Sequence, residues 1–391
     1  MQLLMSRVVR RAQPTDESAS GLLEEDHKRR KDSTIRGFRE SFSAVVFGSW
    51  LNVLLLLAPL SLWGVHEKWG DGFVFVTSML ALVPLAERLS FVTEQVAAHT
   101  NPTVGGLLNA TFGNVTELIV CVLALRDDMV RVVQLSLLGS VLSNLLLILG
   151  VSFFVGGLRY KQQRFREMSV HVNSALLMLA TMALVFPEVL LLSGEDIDRS
   201  DDISSSRFVA AILLANYILF LVFQLRTHAS EFESESPPAP ALEGPAPTGG
   251  LPESASARAE HEPGAVLGLR AALLWLSITT VLISALSDCL VDAIEGAARQ
   301  LDISSVFICA VLLPIVGNAA EHGAAIIFAW RNEMELVLGI ALGSASQVAL
   351  LVLPGMVLLE ARSARGTHSR MLNLCARLSF ASPPPSRSHR R

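Results

Sequence analysis

Residues 105–120 read GGLLNATFGNVTELIV, and residues 312–327 read LLPIVGNAAEHGAAII. Each is an apolar stretch interrupted by the same five-residue pattern, Gly-Asn-x-x-Glu: Gly113-Asn114-Val115-Thr116-Glu117 and Gly317-Asn318-Ala319-Ala320-Glu321. A second shared element follows each, Leu138-Gly139-Ser140 and Leu342-Gly343-Ser344. The register is kept, because Gly317 lies 204 residues after Gly113 and Gly343 lies 204 after Gly139. Unrelated segments rarely share both motif and spacing, so this is an internal repeat.

The chain around the repeat is that of a membrane protein. Of its 391 residues 51% are apolar and only 17% charged, against about 25% charged in an average globular domain. The charge is concentrated in the two ends, a central linker and short loops. The runs between are long enough to cross a bilayer as helices, the segment type that satisfies its own backbone hydrogen bonds in lipid. Nine spans are expected, at about 42–65, 71–93, 104–125, 132–156, 169–193, 207–226, 266–290, 303–330 and 334–360. With 31 Lys+Arg against 36 Asp+Glu the net charge is −5, which gives no case for nucleic-acid binding. Cys121, Cys289, Cys309 and Cys375 form no C-x-x-C pair, and small buried residues are their expected role.

The domain plan is a tail over 1–40, an extra first helix over 41–66, a first membrane repeat over 71–227, an acidic Pro- and Ser-rich linker over 228–264, a second repeat over 265–360 and a tail over 361–391. Nine Lys and Arg precede the first span, and Arg159, Lys161, Arg164 and Arg166 follow the fourth. By the positive-inside tendency both belong in the cytosol. The first repeat holds five spans, an odd number, so the second starts from the opposite side and the two motif-bearing spans run antiparallel. Inverted repeats of this kind place a substrate site near the bilayer midplane where the halves meet.

A carboxylate at that depth costs about 2.5–3.5 kcal/mol on insertion scales, and such residues mark ion paths. Glu117 and Glu321 present paired hard oxygens suited to a divalent cation such as Ca²⁺. Gly113 and Gly317 allow the helix to loosen and backbones to approach. The amides of Asn114 and Asn318 either ligate or satisfy freed backbone groups, and Ser140, Ser143, Ser344 and Gln347 supply further oxygens. Two such carboxylates close together are expected to hold a proton unless a cation is present, so cation and protons compete for the same oxygens. Glu94 and Glu295 are candidate access or proton-relay acids, with solvation of helix ends as the alternative. His322 either modulates protonation or packs in place, and Glu87-Arg88 reads as a local ion pair.

These motifs, together with LSLLGSVLSNLLLILG over 135–150 and LGIALGSASQVALLVLP over 338–354, resemble the cation/proton exchangers, vacuolar calcium/proton antiporters of the calcium/cation antiporter superfamily. The resemblance runs from about residue 40 to 360. It implies an all-α inverted-repeat antiporter fold rather than an enzyme, without cofactor. It implies transport of cytosolic Ca²⁺, sometimes Mn²⁺, into an acidic vacuole in exchange for protons. Glu117 and Glu321 become the central acids, and Gly113, Gly317, Asn114, Asn318, Ser344 and Gln347 complete the site. The family carries eleven helices, whereas here the second set has three spans in place of five. Self-association is a further expectation. The alternative is a non-transporting relative that associates with and modulates a full-length exchanger; sodium coupling on the same fold is a third option.

Overall fold

The computed structural model describes residues 40–192, 199–228 and 266–362, and those residues form helices and turns with no strand. The tail before residue 40, most of the linker, Cys375 and the tail after 362 lie outside the described residues. Six helices are long and apolar enough to cross a membrane, and three bent pairs bring the number to nine.

In chain order they are α1 (Glu40–Val46 and Trp50–His66), α2 (Asp71–Ala97), α3 (Pro102–Phe112 and Val115–Arg126), α4 (Val130–Arg159), α5 (Glu167–Leu192), α6 (Arg199–Val222, continued by Phe223–Thr227), α7 (Leu269–Gln300), α8 (Ser305–Gly317 and Ala319–Trp330) and α9 (Met334–Glu360). The expected spans are all present. One differs in shape: α1 bends by 87° between its two parts, where the sequence suggested a single span. Asn52 Nδ2 holds the bend locally, donating to the Val45 and Val46 carbonyls at 2.9 Å each, and Arg88 braces it from α2. Its guanidinium, 7% exposed, pairs with Glu87 at 2.6 Å and donates to the carbonyl of Ala44 at 3.3 Å. A buried cation in an apolar bundle needs such acceptors, and the first part of α1 is drawn across α2 to supply one.

α2 and α7 form the central pair, running antiparallel. Phe75, Leu82, Leu89, Ile283, Leu286, Leu290 and Ile294 are almost wholly buried along them. Both ends are tied. Gln300 Oε1 accepts from the Gly72 amide at 2.8 Å, and Gln95 Oε1 accepts from the Val266 and Leu267 amides at 2.7 and 3.1 Å. Both helices extend beyond the apolar limits read from sequence, because their last turns are polar yet held by these contacts.

The two motif-bearing spans are the broken ones, α3 by 46° and α8 by 62°. Each starts on a side-chain cap that satisfies an orphan amide: Asn101 Oδ1 accepts from Val104 N, and Ser304 Oγ accepts from Phe307 N. The repeat mates α4 and α9 share a feature that no residue pattern announces. Each contains a π-helical turn, Ser143–Ile148 and Val348–Val352, directly after the site residues. Their surroundings differ. α9 is covered by α5 and α6 through Leu213, Tyr217, Phe220 and Leu350. The corresponding face of α4 carries the exposed Leu142, Leu146 and Phe154.

Removing one partner of the Glu87–Arg88 pair should destabilise the bundle. Glu87→Gln is expected to cost near the low end of the roughly 3–5 kcal/mol typical of broken buried pairs, since Glu87 keeps partial exposure. The melting temperature of the detergent-solubilised protein measures this. An unchanged value would show that the Glu87–Arg88 pair does not brace the bundle.

Candidate cation site

The breaks in α3 and α8 fall on the asparagines. Asn114 (φ −102, ψ 12) and Asn318 (φ −102, ψ 16) leave helical geometry in the same way, while Gly113 keeps it (φ −56, ψ −41). The glycines therefore serve by close approach rather than by loosening the helix. A Cβ on Gly317 would lie 3.5 Å from Glu117 Cγ, and one on Gly113 would lie 4.0 Å from Glu321 Oε1. Each acid is thus seated against the other motif's glycine, and the two broken helices cross at the two carboxyl groups.

Glu117, Asn114, Asn318, Ser140 and Ser344 are all buried, and a polar network links them across the repeats. Asn318 Nδ2 donates to Glu117 Oε1 at 2.7 Å and to Ser140 Oγ at 3.1 Å. Its mate behaves differently, for Asn114 Nδ2 donates to Gln347 Oε1 at 2.6 Å. Ser344 Oγ donates to Asn114 Oδ1 at 3.5 Å and lines a cavity together with Glu321. His322 Nε2 and Ser143 Oγ lie 3.3 Å apart. Glu117 Oε2 and Glu321 Oε2 are buried with no hydrogen-bond partner. Buried polar atoms are nearly always satisfied, so two such oxygens at one crossing are acceptors suited to a cation or a proton. No group of three or more His, Cys, Asp or Glu able to hold a metal ion occurs among the described residues. The site is two carboxylates completed by amides and hydroxyls, a donor set that suits a hard cation.

A cavity of about 480 Å³ reaches Glu321 from one side of the bundle, and Glu94, Asn109, Gln224, Ser344 and Gln347 are among its lining residues. Glu117 lines only a small pocket of about 20 Å³ with Leu82, Leu290 and Leu313. The two spaces are repeat mates. Thr116, Glu117, Val120, Ser136, Leu313 and Gly317 of the small pocket correspond, at the 204-residue offset, to Ala320, Glu321, Ala324, Ile340, Asn109 and Gly113 of the large one. One side of the repeat is open and its counterpart is collapsed. Gly139 and Gly343 record the same difference. A Cβ on Gly139 would fall 2.2 Å from the Ala310 carbonyl oxygen, whereas nothing lies within 4 Å of one on Gly343.

The residues expected at the site are therefore brought together, with one exception. Glu94 lines the large cavity, but Glu295 is exposed and lines neither space. Near it Arg126 bonds Asp288 at 2.8 Å and Asp127 at 2.9 Å, closing the end of α3 onto α7. Cys121 and Cys309 are buried and free, as expected of packing residues.

Gly139→Ala should force α4 off the backbone of α8, at about 1–3 kcal/mol for overpacking, while Gly343→Ala should be nearly neutral. Melting temperatures of the two variants check this, and equal effects would contradict the open-and-collapsed description.

Comparison with known proteins agrees with this geometry. Residues 71–226 and 271–382 match the sodium/calcium exchanger protein family. Vacuolar cation/proton exchanger 3 of Oryza sativa subsp. japonica is 42% identical over 84% of this chain and 75% of its own length. Vacuolar cation/proton exchanger 2 of Arabidopsis thaliana is 43% identical over 82% and 70%. Among solved structures, native YfkE superposes with a TM-score of 0.62 at 31% identity, covering 79% of this chain and 82% of its own. The H⁺/Ca²⁺ exchanger CAX shares the fold with a TM-score of 0.60 at 15% identity, over 81% and 74%. The chain belongs to the sodium/calcium exchanger protein family, among the vacuolar cation/proton exchangers, and has their inverted-repeat membrane fold.

Proposed function

We propose that this chain is a Ca²⁺/H⁺ antiporter that moves cytosolic Ca²⁺ into an acidic compartment, with Glu117 and Glu321 as the shared cation and proton site. The observation that carries the reading is the pair of unpartnered buried oxygens, Glu117 Oε2 and Glu321 Oε2, at the crossing of the two broken helices. Two related exchangers whose structures are solved, selenium-substituted YfkE and CAX, are described as Ca²⁺/H⁺ exchangers, which supports the same cargo here.

Charge balance explains why the two ions exchange. With a divalent cation between two carboxylates the site is neutral, and with protons on both it is neutral again. The empty, doubly charged site is the expensive one in a low-dielectric interior. The protein therefore changes sides cheaply only when loaded with one ion or the other, and a proton-rich compartment drives Ca²⁺ into itself.

Sidedness follows from the basic loop after α4. Arg166 pairs with Glu335 at 2.7 Å and Arg159 lies over the Trp330 ring, so this loop sits at the α8–α9 end of the bundle, as does the wall of the large cavity formed by Ala324, Phe328 and Gly339. Placing Lys- and Arg-rich loops in the cytosol makes this a cytosol-facing state, with Glu94 at its access route. In the lumen-facing state the Gly139–Ala310 contact opens, and Gly343 closes on Gly106, the repeat mate of Ala310. The non-transporting alternative keeps one observation in its favour, the uncovered face of α4.

Glu117→Gln and Glu321→Gln are each expected to reduce proton-driven Ca²⁺ uptake in vesicles to the level of empty vesicles. Uptake at the normal rate by either variant overturns the shared-site reading. Absence of uptake by the unaltered purified chain favours the modulator.

A further inference from the structure

The repeat is symmetric in its motifs but not in the donors that hold its two serines. Ser140 Oγ accepts from Asn318 Nδ2, the amide of the opposite motif, at 3.1 Å. Repeat symmetry would have Ser344 held by Asn114 Nδ2, but that group is committed to Gln347. The Ser344 hydroxyl accepts instead from Asn144 Nδ2 at 2.9 Å. Asn144 is fully buried and stands in the π-helical turn Ser143–Ile148 of α4. Its repeat mate, 204 residues on, is Val348, which has no donor to offer. The π turn is common to both halves, but only in the first does it present an amide to the site; single-turn π insertions of this kind are frequent at functional sites.

We propose that Asn144 is the positioning residue that holds the Ser344 hydroxyl for the Glu321 half of the cation site, replacing the amide that serves the Glu117 half. A serine hydroxyl has one hydrogen and two acceptor lone pairs. With Asn144 donating to one lone pair, the single hydrogen of Ser344 is turned toward Asn114 Oδ1, and the second lone pair is left for a cation in the cavity that Ser344 and Glu321 both line. Asn114 is thereby released to bond Gln347, and Glu321 keeps an oxygen with no protein partner at the end of the open cavity. Glu117 is braced by Asn318 while Glu321 stays receptive. The Oδ1 atom of Asn144 is itself buried without a partner, a cost that the fold carries without compensation from any neighbour.

The inference rests on the shared-site reading, so the test measures Ca²⁺ binding directly on the purified full chain and does not depend on transport. Asn144→Val copies the residue at the mate position, and Asn144→Leu keeps the approximate volume but removes the donor without adding charge. Each is expected to weaken Ca²⁺ binding about five- to tenfold, the size of one lost net hydrogen bond in a site. Ser344→Ala is expected to do the same. The decisive measurement is the combination: Asn144→Val in the Ser344→Ala background should add less than about twofold, because the two residues act through one hydroxyl. In vesicles the Asn144 variants should raise KM for Ca²⁺ and leave the maximal rate near that of the unaltered chain. Unaltered Ca²⁺ affinity in Asn144→Leu, or effects that multiply in the double variant, overturns the proposal. Failure of the antiporter reading alone appears differently, as Ca²⁺ binding without proton-driven uptake.

Discussion

Two carboxyl groups buried at one helix crossing set the terms for the rest of this structure. Glu117 and Glu321 stand against each other's glycines, in a bundle whose interior cannot hold two adjacent negative charges without compensation. Both motif helices break at their asparagines, and the amides released there turn into a network of side-chain bonds across the repeats. α2 and α7 hold the crossing in place, tied at each end by a glutamine from one helix capping the start of the other or of the segment leading into it. In lipid there is no hydrophobic drive between helices, so close backbone contact and such bonds carry the packing. Gly139 against the Ala310 carbonyl is one such close approach of backbone to backbone between helices.

The same crossing gives the repeats unequal roles in a single state. Around Glu321 the helices stand apart and leave about 480 Å³; around Glu117 the equivalent residues close to about 20 Å³. The two walls are built from residues at one constant offset, and of the six matched pairs only the acids and the glycines are the same in both. Exchanging the two arrangements moves access from one side to the other while the acids stay together.

Much of this was legible in the amino-acid sequence. The nine spans follow from apolar length, and the paired motifs alone imply that Glu117 and Glu321 meet. The resemblance to cation/proton exchangers, read from the motifs, is matched by family, relatives and fold. The features that were not legible have separate physical reasons. Asn144 has Val348 as its mate, so a search for repeated residues passed over it. Glu295 was selected because it stands near the place matching Glu94, yet it faces outward while Glu94 lines the cavity. The break was assigned to glycine on conformational grounds, but in both copies asparagine takes the non-helical dihedrals. The bend in α1 is held by Asn52 on the Val45 and Val46 carbonyls and by Arg88 reaching Ala44, 44 positions away, and no local pattern encodes the second contact. The π turns of α4 and α9 leave no mark in periodicity over so short a stretch.

The central claim is that the two acids carry protons in one direction and Ca²⁺ in the other. The most direct measurement uses the purified chain in sealed proteoliposomes, acidic inside and without sodium. Ca²⁺ uptake and internal pH are recorded together. The account expects Ca²⁺ to accumulate inside as the interior becomes more alkaline, with both signals absent when the proton gradient is removed. Ca²⁺ accumulation driven by an outward sodium gradient at uniform pH, with no proton movement, would contradict it.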